Sequence, residues 1–332
     1  MILQTPILAL LTIAAVSVAV ALWAALFGLR VLRRWDIASG SAAQIGMERQ
    51  TQLASTLLGF VMVAQAAGLA LFVFNADRMT PLFVGAMCAV GTLSVNAYGF
   101  PALYARLAVF FAAGLWLMLD RADRLGADYP LTRAKFGAAI GVAALLMVSA
   151  GLDLAYFLNL RTDVITSCCS RLFTPANSGL AAELSALPPR LALGLLAGAG
   201  LAVAATGAQV LWRGRGHQLY AIASGAMFVI AIAAIVAAVS SYVYEHPNHH
   251  CPFCLLKREY GYVGYALYVP LLIGSVLGLG AGMLHPATRI DSLAPRLPTR
   301  IRRQVVASLT AFALFGAATA AIIATSNLIL FP

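Results

Sequence analysis

Long apolar runs recur along the whole chain, and they constrain its fold more than any other feature. A run of about 18 residues or more is long enough to cross the hydrocarbon core of a bilayer. The clear runs are 6–29, 54–74, 102–119, 136–158, 188–212, 218–243, 255–284 and 304–326. Backbone groups inside a bilayer must be hydrogen-bonded within the protein, and strand-like alternation is absent, so these runs predict helices.

The scarcity of charge excludes a water-soluble domain. Hydrophobic residues make up 61% of the 332 residues and charged residues only 10%, whereas soluble domains carry roughly 25% charged residues. The net charge of +10 is typical of basic loops on the cytoplasmic side of a membrane. The sequence therefore predicts an all-α integral membrane protein that contacts the lipid bilayer and no nucleic acid.

The basic loops predict the topology. Fifteen of the 22 basic residues lie in four loops: Arg30, Arg33, Arg34, Arg49; Arg121, Arg124, Arg133, Lys135; Arg213, Arg215; Arg289, Arg296, Arg300, Arg302, Arg303. All four loops fall on one side only if the interrupted apolar segment 81–97 does not cross completely. We predict a bundle of about eight transmembrane helices with one re-entrant or interfacial segment at about 81–97, and with both termini outside. The predicted division is 1–135, with the first three helices, and 136–332, with the last five.

All five cysteines are predicted to lie toward one side of the membrane. Under this topology they occupy the outer face or the outer leaflet: Cys88, Cys168, Cys169, Cys251, Cys254. In a bacterial inner (cytoplasmic) membrane, the predicted location of this multi-pass protein, the outer side is the periplasm, where disulfides persist. Because five is an odd number, at least one thiol is expected outside an intramolecular disulfide.

The most informative motif is Cys251-Pro-Phe-Cys254, which the predicted spans place at the outer end of the seventh helix. A helix N-terminus favours the thiolate, the form that attacks disulfides. The motif is thus typical of a redox-active centre. A structural disulfide, or a zinc site completed by His249 and His250, would fit the same spacing.

A vicinal pair, Cys168-Cys169, follows the fourth span. Adjacent cysteines can close a strained, easily reduced disulfide, exchange with separate partners, or clamp a soft metal. Arg161 and Arg171 would favour thiolates there. Cys88 is a lone thiol among small residues, which is typical of packing, although its position keeps a third redox role open.

The stretch from Cys251 to Tyr265 resembles the disulfide-bond formation protein B (DsbB) family of quinone-linked thiol oxidases. It shares the Cys-x-x-Cys pair, Leu255-Leu256, Lys257-Arg258, and an aromatic run with glycine. The resemblance implies that Cys251 and Cys254 pass electrons to a ubiquinone or menaquinone, and that Arg258 lies beside it. It also implies a periplasmic thioredoxin-fold or other thiol protein as partner. The vitamin K epoxide reductase family shares the general architecture.

The predicted function is that of a membrane thiol-disulfide oxidoreductase, an enzyme that exchanges electrons between periplasmic protein thiols and a membrane quinone in either direction. Cys251, Cys254, Cys168 and Cys169 are its predicted catalytic residues, Arg258 and Tyr262 its quinone contacts, and no residue is assigned to a metal. Tyr262 belongs to a group of tyrosines that suits an aromatic quinone slot.

Two alternatives remain open from the sequence. One is soft-metal (Cu/Hg) binding or transport by the cysteine pairs with His249 and His250, and the other is a structural subunit of a membrane complex. Asp153, inside the fourth span, is a further functional candidate because intramembrane carboxyl groups are costly. Arg258 is a candidate partner for it.

Overall fold

The computed structural model describes residues 3–164, 166 and 187–330. Within them, eight helices are long and apolar enough to cross a membrane, and there is no strand. The helices are α1 Thr5–Arg34, α2 Ala42–Arg78, α3 Ala89–Leu93, α4 Gly99–Asp123, α5 Thr132–Leu158, α6 Pro189–Arg213, α7 His217–Ala234, α8 Ser240–Tyr244, α9 Val263–Leu284 and α10 Leu297–Thr325. Helices α7 and α8 form one span, joined by a π-helical turn at Ile235–Val239. The prediction of an all-α membrane protein with about eight spans is confirmed.

Segment 81–97 contains no spanning helix. It consists of a 3₁₀ turn at Thr80–Leu82, an irregular stretch and the five-residue helix α3. A five-residue helix is far too short to cross a bilayer, which needs about 20 residues. Cys88 and the α3 residues Ala89 and Val90 are nevertheless fully buried. Protein therefore covers Cys88 and the start of α3, whereas Val84 and Met87 in the irregular stretch are 62% and 65% exposed.

The chain divides into two compact units. The first comprises Met1–Arg78, Leu93–Thr162 and Ala287–Leu297, and it contains α1, α2, α4 and α5. The predicted boundary at 135/136 falls inside this unit, because α5 packs along α1 and α4. Its core is built from small and large side chains on all four helices: Ala21, Ala24, Leu58, Met62, Val109, Trp116, Leu146.

A buried charge cluster lies where α4 ends and α5 begins. The ammonium of Lys135 is 2.7 Å from an Asp123 carboxylate oxygen and 3.2 Å from Asp120. Asp123 also accepts hydrogen bonds from the backbone N–H of Leu131 and the hydroxyl of Thr132. Lys135 is therefore not the loop charge that the sequence suggested. It belongs to α5 and is buried because two carboxylates offset its charge.

The second unit comprises Met79–Thr92, Asp163–Pro286 and Pro298–Pro332. Helix α7 packs against α6 and α9. Glycines spaced four residues apart on α9, at 274, 278 and 282, allow close approach of its neighbours. The ring of Phe312 on α10 lies against Gly274, and Ser224 on α7 lies against Gly278. Small residues at this spacing are a common means of close helix contact in membranes.

Gly278→Ala is expected to lower the free energy of unfolding by about 1–3 kcal/mol, the usual cost of overpacking. The added Cβ would lie 2.5 Å from Cβ of Ser224, so one of the two helices must move. Gly198→Ala on α6 is the matched control, because its added Cβ meets nothing within 4 Å. Thermal unfolding in detergent checks the pair, and equal unfolding midpoints for the two variants would contradict the close approach at Gly278.

Candidate functional site

Three cysteines meet inside the second unit. Their sulfur atoms all lie within 4.8 Å of one another, and the Sγ atoms of Cys88 and Cys251 are 3.4 Å apart. Cys88 and Cys251 are fully buried, and Cys254 is 7% exposed. A covalent S–S bond is about 2.05 Å long, so the Cys88 and Cys251 sulfurs are in contact without being bonded. We call this group the three-sulfur cluster.

Tyrosine hydroxyls hold the backbone that carries the Cys-x-x-Cys motif. Tyr244, at the end of α8, donates to the carbonyl of Cys251, and Tyr268 on α9 donates to the carbonyl of Pro252 at 2.8 Å. Gly264 lets the motif pack against the first turn of α9, since a Cβ there would lie 2.9 Å from the carbonyl carbon of Leu255. Side chains from two spans thus hold the backbone that carries the sulfurs.

A second set of contacts holds the segment that carries Cys88. The ammonium of Lys257 donates to the carbonyl of Met87 at 2.6 Å. The backbone N–H of Thr166 donates to the carbonyl of Val84 at 2.9 Å. The Lys257 contact also places a positive charge beside the backbone next to Cys88.

The neighbouring histidines are engaged with groups other than the sulfurs. Nδ1 of His250 lies 3.0 Å from the carbonyl oxygen of Val236 in the π-helical turn. Burial lowers the pKa of His250, because it disfavours the imidazolium. The ring of His249 stacks on Tyr244 at 3.9 Å between centroids. Among the residues that the structure describes, the cluster that could hold a metal contains sulfur ligands alone.

The seventh span begins later than the hydropathy pattern indicated. Helix α9 starts at Val263, and Cys254 instead opens a three-residue 3₁₀ turn, Cys254–Leu256. So short a turn has no appreciable dipole. The predicted activation of the motif by a helix N-terminus therefore does not apply. Burial, the neighbouring thiols and the charge of Lys257 form the environment of these sulfurs instead.

The two predicted quinone contacts lie on the turn that leads into α9. Arg258 opens the 3₁₀ turn Arg258–Tyr260 and is exposed. Tyr262 is 52% exposed, adopts a left-handed backbone conformation with φ of 56°, and its ring lies 6.3 Å from that of Tyr265. Both side chains are at the surface of the second unit, whereas the sulfurs are buried within it.

Of the three remaining cysteines, one lies among the residues that the structure describes. Cys168 and Cys169 lie outside the described residues. Cys88, assigned mainly to packing, joins the cluster. Its sequence context did not mark Cys88 as a site residue, although its predicted location on the same side as the other cysteines was a usable signal.

Asp153 has a partner that the sequence did not suggest. Arg106 on α4 forms a bidentate ion pair with it, with Nε to Oδ1 at 2.9 Å and Nη2 to Oδ2 at 2.8 Å. Both side chains are 2% exposed. The guanidinium also lies 4.9 Å from the centre of the Phe72 ring. Asp153 is therefore paired with Arg106 in the first unit and not with Arg258.

Comparison with protein-family models, with curated proteins and with solved structures finds no match.

Proposed function

We propose that this protein is a membrane thiol-disulfide oxidoreductase that exchanges electrons between protein thiols outside the cytoplasm and a membrane quinone. The observation that carries the proposal is the three-sulfur cluster. Thiol-disulfide exchange requires a thiolate to reach a disulfide sulfur, and three sulfurs within 4.8 Å of one another need little movement to do so. Eight apolar spans would keep the cluster within reach of a lipid-soluble electron acceptor.

The proposed reaction has two steps, a thiol-disulfide exchange with the partner and a two-electron oxidation by the quinone. A reduced partner protein attacks a Cys251–Cys254 disulfide, so the partner leaves with a new disulfide and the chain retains two thiols. Those thiols then lose two electrons and two protons as their disulfide re-forms, and the quinone becomes a quinol. The opposite direction uses the same steps in reverse.

Cys251 occupies the central position in this scheme. It shares the Cys-x-x-Cys loop with Cys254, and its sulfur touches that of Cys88 at 3.4 Å. It can therefore form a disulfide with Cys254 or with Cys88. We assign Cys88 the role of a third thiol that exchanges with Cys251, while Cys168 and Cys169 remain the sequence-based candidates for contact with the partner.

A bound quinone would accept two electrons. The exposed position of Arg258 and Tyr262 fits a ligand that arrives from the lipid, and the guanidinium would stabilise negative charge that develops on the ligand oxygen. The burial of Tyr260 raises the pKa of its hydroxyl, with smaller effects from Cys254 and Cys251, so this phenol stays protonated beside the sulfurs. A bacterial inner membrane with the cysteines on the periplasmic side suits both reactants.

The test is electron transfer by the purified full chain. In detergent with a reduced dithiol and a short-chain ubiquinone, the protein is expected to accelerate quinone reduction, followed by absorbance. The variant with all five cysteines replaced by serine supplies the background. Equal rates for the two proteins, with menaquinone analogues as well as ubiquinone, would rule out the proposal.

A further inference from the structure

We infer that the three-sulfur cluster is also a binding site for a thiophilic monovalent metal ion, Cu(I), when its cysteines are reduced. This goes beyond the proposed electron exchange, because it is a binding equilibrium of the reduced state with no electron transferred. It also differs from the metal alternative raised by the sequence, which relied on the vicinal pair and on the two histidines.

The spacing of the sulfurs suits one metal ion bound by three cysteines. Metal–sulfur bonds of about 2.3 Å in a trigonal arrangement place the sulfurs about 4.0 Å apart. The three sulfurs lie within 4.8 Å of one another, and the pair Cys88 and Cys251 is at 3.4 Å. Small side-chain rotations would therefore be sufficient to form such a site.

The ligand set selects the metal. Soft thiolates favour Cu(I), whereas structural zinc sites almost always take four ligands. In the described part of the chain, the group of candidate ligands contains three sulfurs and neither a histidine nitrogen nor a carboxylate. Nδ1 of His250 is held at the Val236 carbonyl, and the His249 ring is stacked on Tyr244. A three-coordinate, all-sulfur site matches Cu(I) better than Zn(II).

The surroundings favour retention of the monovalent ion. Cys88 and Cys251 are fully buried, and the described ligand group holds none of the nitrogen or oxygen ligands that Cu(II) prefers. Each cysteine that becomes a ligand gives up its proton, and the Lys257 ammonium, 2.6 Å from the carbonyl oxygen of Met87, offsets part of the resulting negative charge. A disulfide between any two of these cysteines removes two ligands, so oxidation and metal binding compete for the same sulfurs.

The experiment uses the full-length Cys168→Ser/Cys169→Ser variant, whose only cysteines are those of the cluster. Anaerobic titration with Cu(I) against a chromophoric chelator is expected to show one tight site per chain, and Zn(II) is expected to bind more weakly. Adding Cys88→Ser should weaken Cu(I) binding at least about 100-fold, because even the loss of a hydrogen-bond partner of a metal ligand typically costs 10- to 100-fold. Adding His249→Ala and His250→Ala should leave the affinity unchanged.

X-ray absorption on the Cu(I)-loaded Cys168→Ser/Cys169→Ser protein provides a readout that does not depend on the folding of a cluster variant, and three sulfur neighbours are expected. The absence of a tight Cu(I) site, tighter binding of Zn(II), or nitrogen ligands would each overturn the inference. So would unchanged affinity in the Cys88→Ser variant. None of these results depends on quinone reduction, so failure here leaves the proposed enzyme activity to its own test.

Discussion

Cys251→Ser is expected to reduce dithiol-dependent quinone reduction to the background rate, a loss of about 100-fold or more, as for other covalent nucleophiles. The reason is that Cys251 belongs to the Cys-x-x-Cys pair and that its Sγ also lies 3.4 Å from that of Cys88. Its removal prevents the disulfide with Cys254 and the disulfide with Cys88 together. Steady-state quinone reduction by the purified variant measures the effect.

Cys254→Ser is expected to cause a second loss of quinone reduction, which can be distinguished from that of Cys251→Ser. This variant is also expected to fall to background, because the Cys-x-x-Cys disulfide cannot form. The contact of 3.4 Å between the sulfurs of Cys88 and Cys251 remains, so mass spectrometry should detect more of the Cys88–Cys251 disulfide than in wild type. Ser275→Ala is the matched control, since the hydroxyl of this buried serine on α9 donates to the carbonyl of Leu271 in its own helix. An undiminished rate for Cys254→Ser would show that the motif is not the redox centre.

Asp153→Ala is expected to lower the free energy of unfolding by about 3–5 kcal/mol, the usual cost of leaving one member of a buried ion pair alone. Arg106 would keep its charge at a position that is 2% exposed. It already has one nitrogen, Nη1, without a hydrogen-bond partner. Unfolding of the variant in a denaturing detergent, followed by circular dichroism, measures the loss.

The matched control removes both charges at once. Arg106→Leu/Asp153→Leu is expected to be much closer to wild type than Asp153→Ala, since hydrophobic replacement of a whole buried pair is often neutral or stabilising. If the double variant were as unstable as the single one, packing at these positions and not the uncompensated charge would be the cause. A quinone-reduction rate that survives in the double variant would assign the pair to folding alone.

The sequence was sufficient to predict the spans because hydropathy is a local property. The run 136–158, for example, corresponds to α5 at Thr132–Leu158. For segment 81–97, by contrast, the positions of the basic loops and not hydropathy predicted that it does not cross. Hydropathy also erred at one boundary. It placed the start of the seventh span too early, because Leu255 and Leu256 are apolar yet belong to a 3₁₀ turn.

Pairings between distant residues could not be predicted in the same way. Arg106 lies inside an apolar run, and 47 positions separate it from Asp153. Only the packing of α4 against α5 brings the two side chains together. Lys135 was assigned to a loop for the same reason, because its partners Asp120 and Asp123 become neighbours only after the helices have folded back on each other.

By itself, the sequence determined that this protein is a helical membrane protein with about eight spans and that Cys251 and Cys254 form one motif. Both follow from residues that are close in the chain. Only the tertiary structure decided that Cys88, separated from Cys251 by 163 positions, completes a three-sulfur cluster. That contact depends on how the irregular segment before α3 packs against the loop before α9. The hydrophobic pattern along the chain does not indicate which buried sulfurs come into contact.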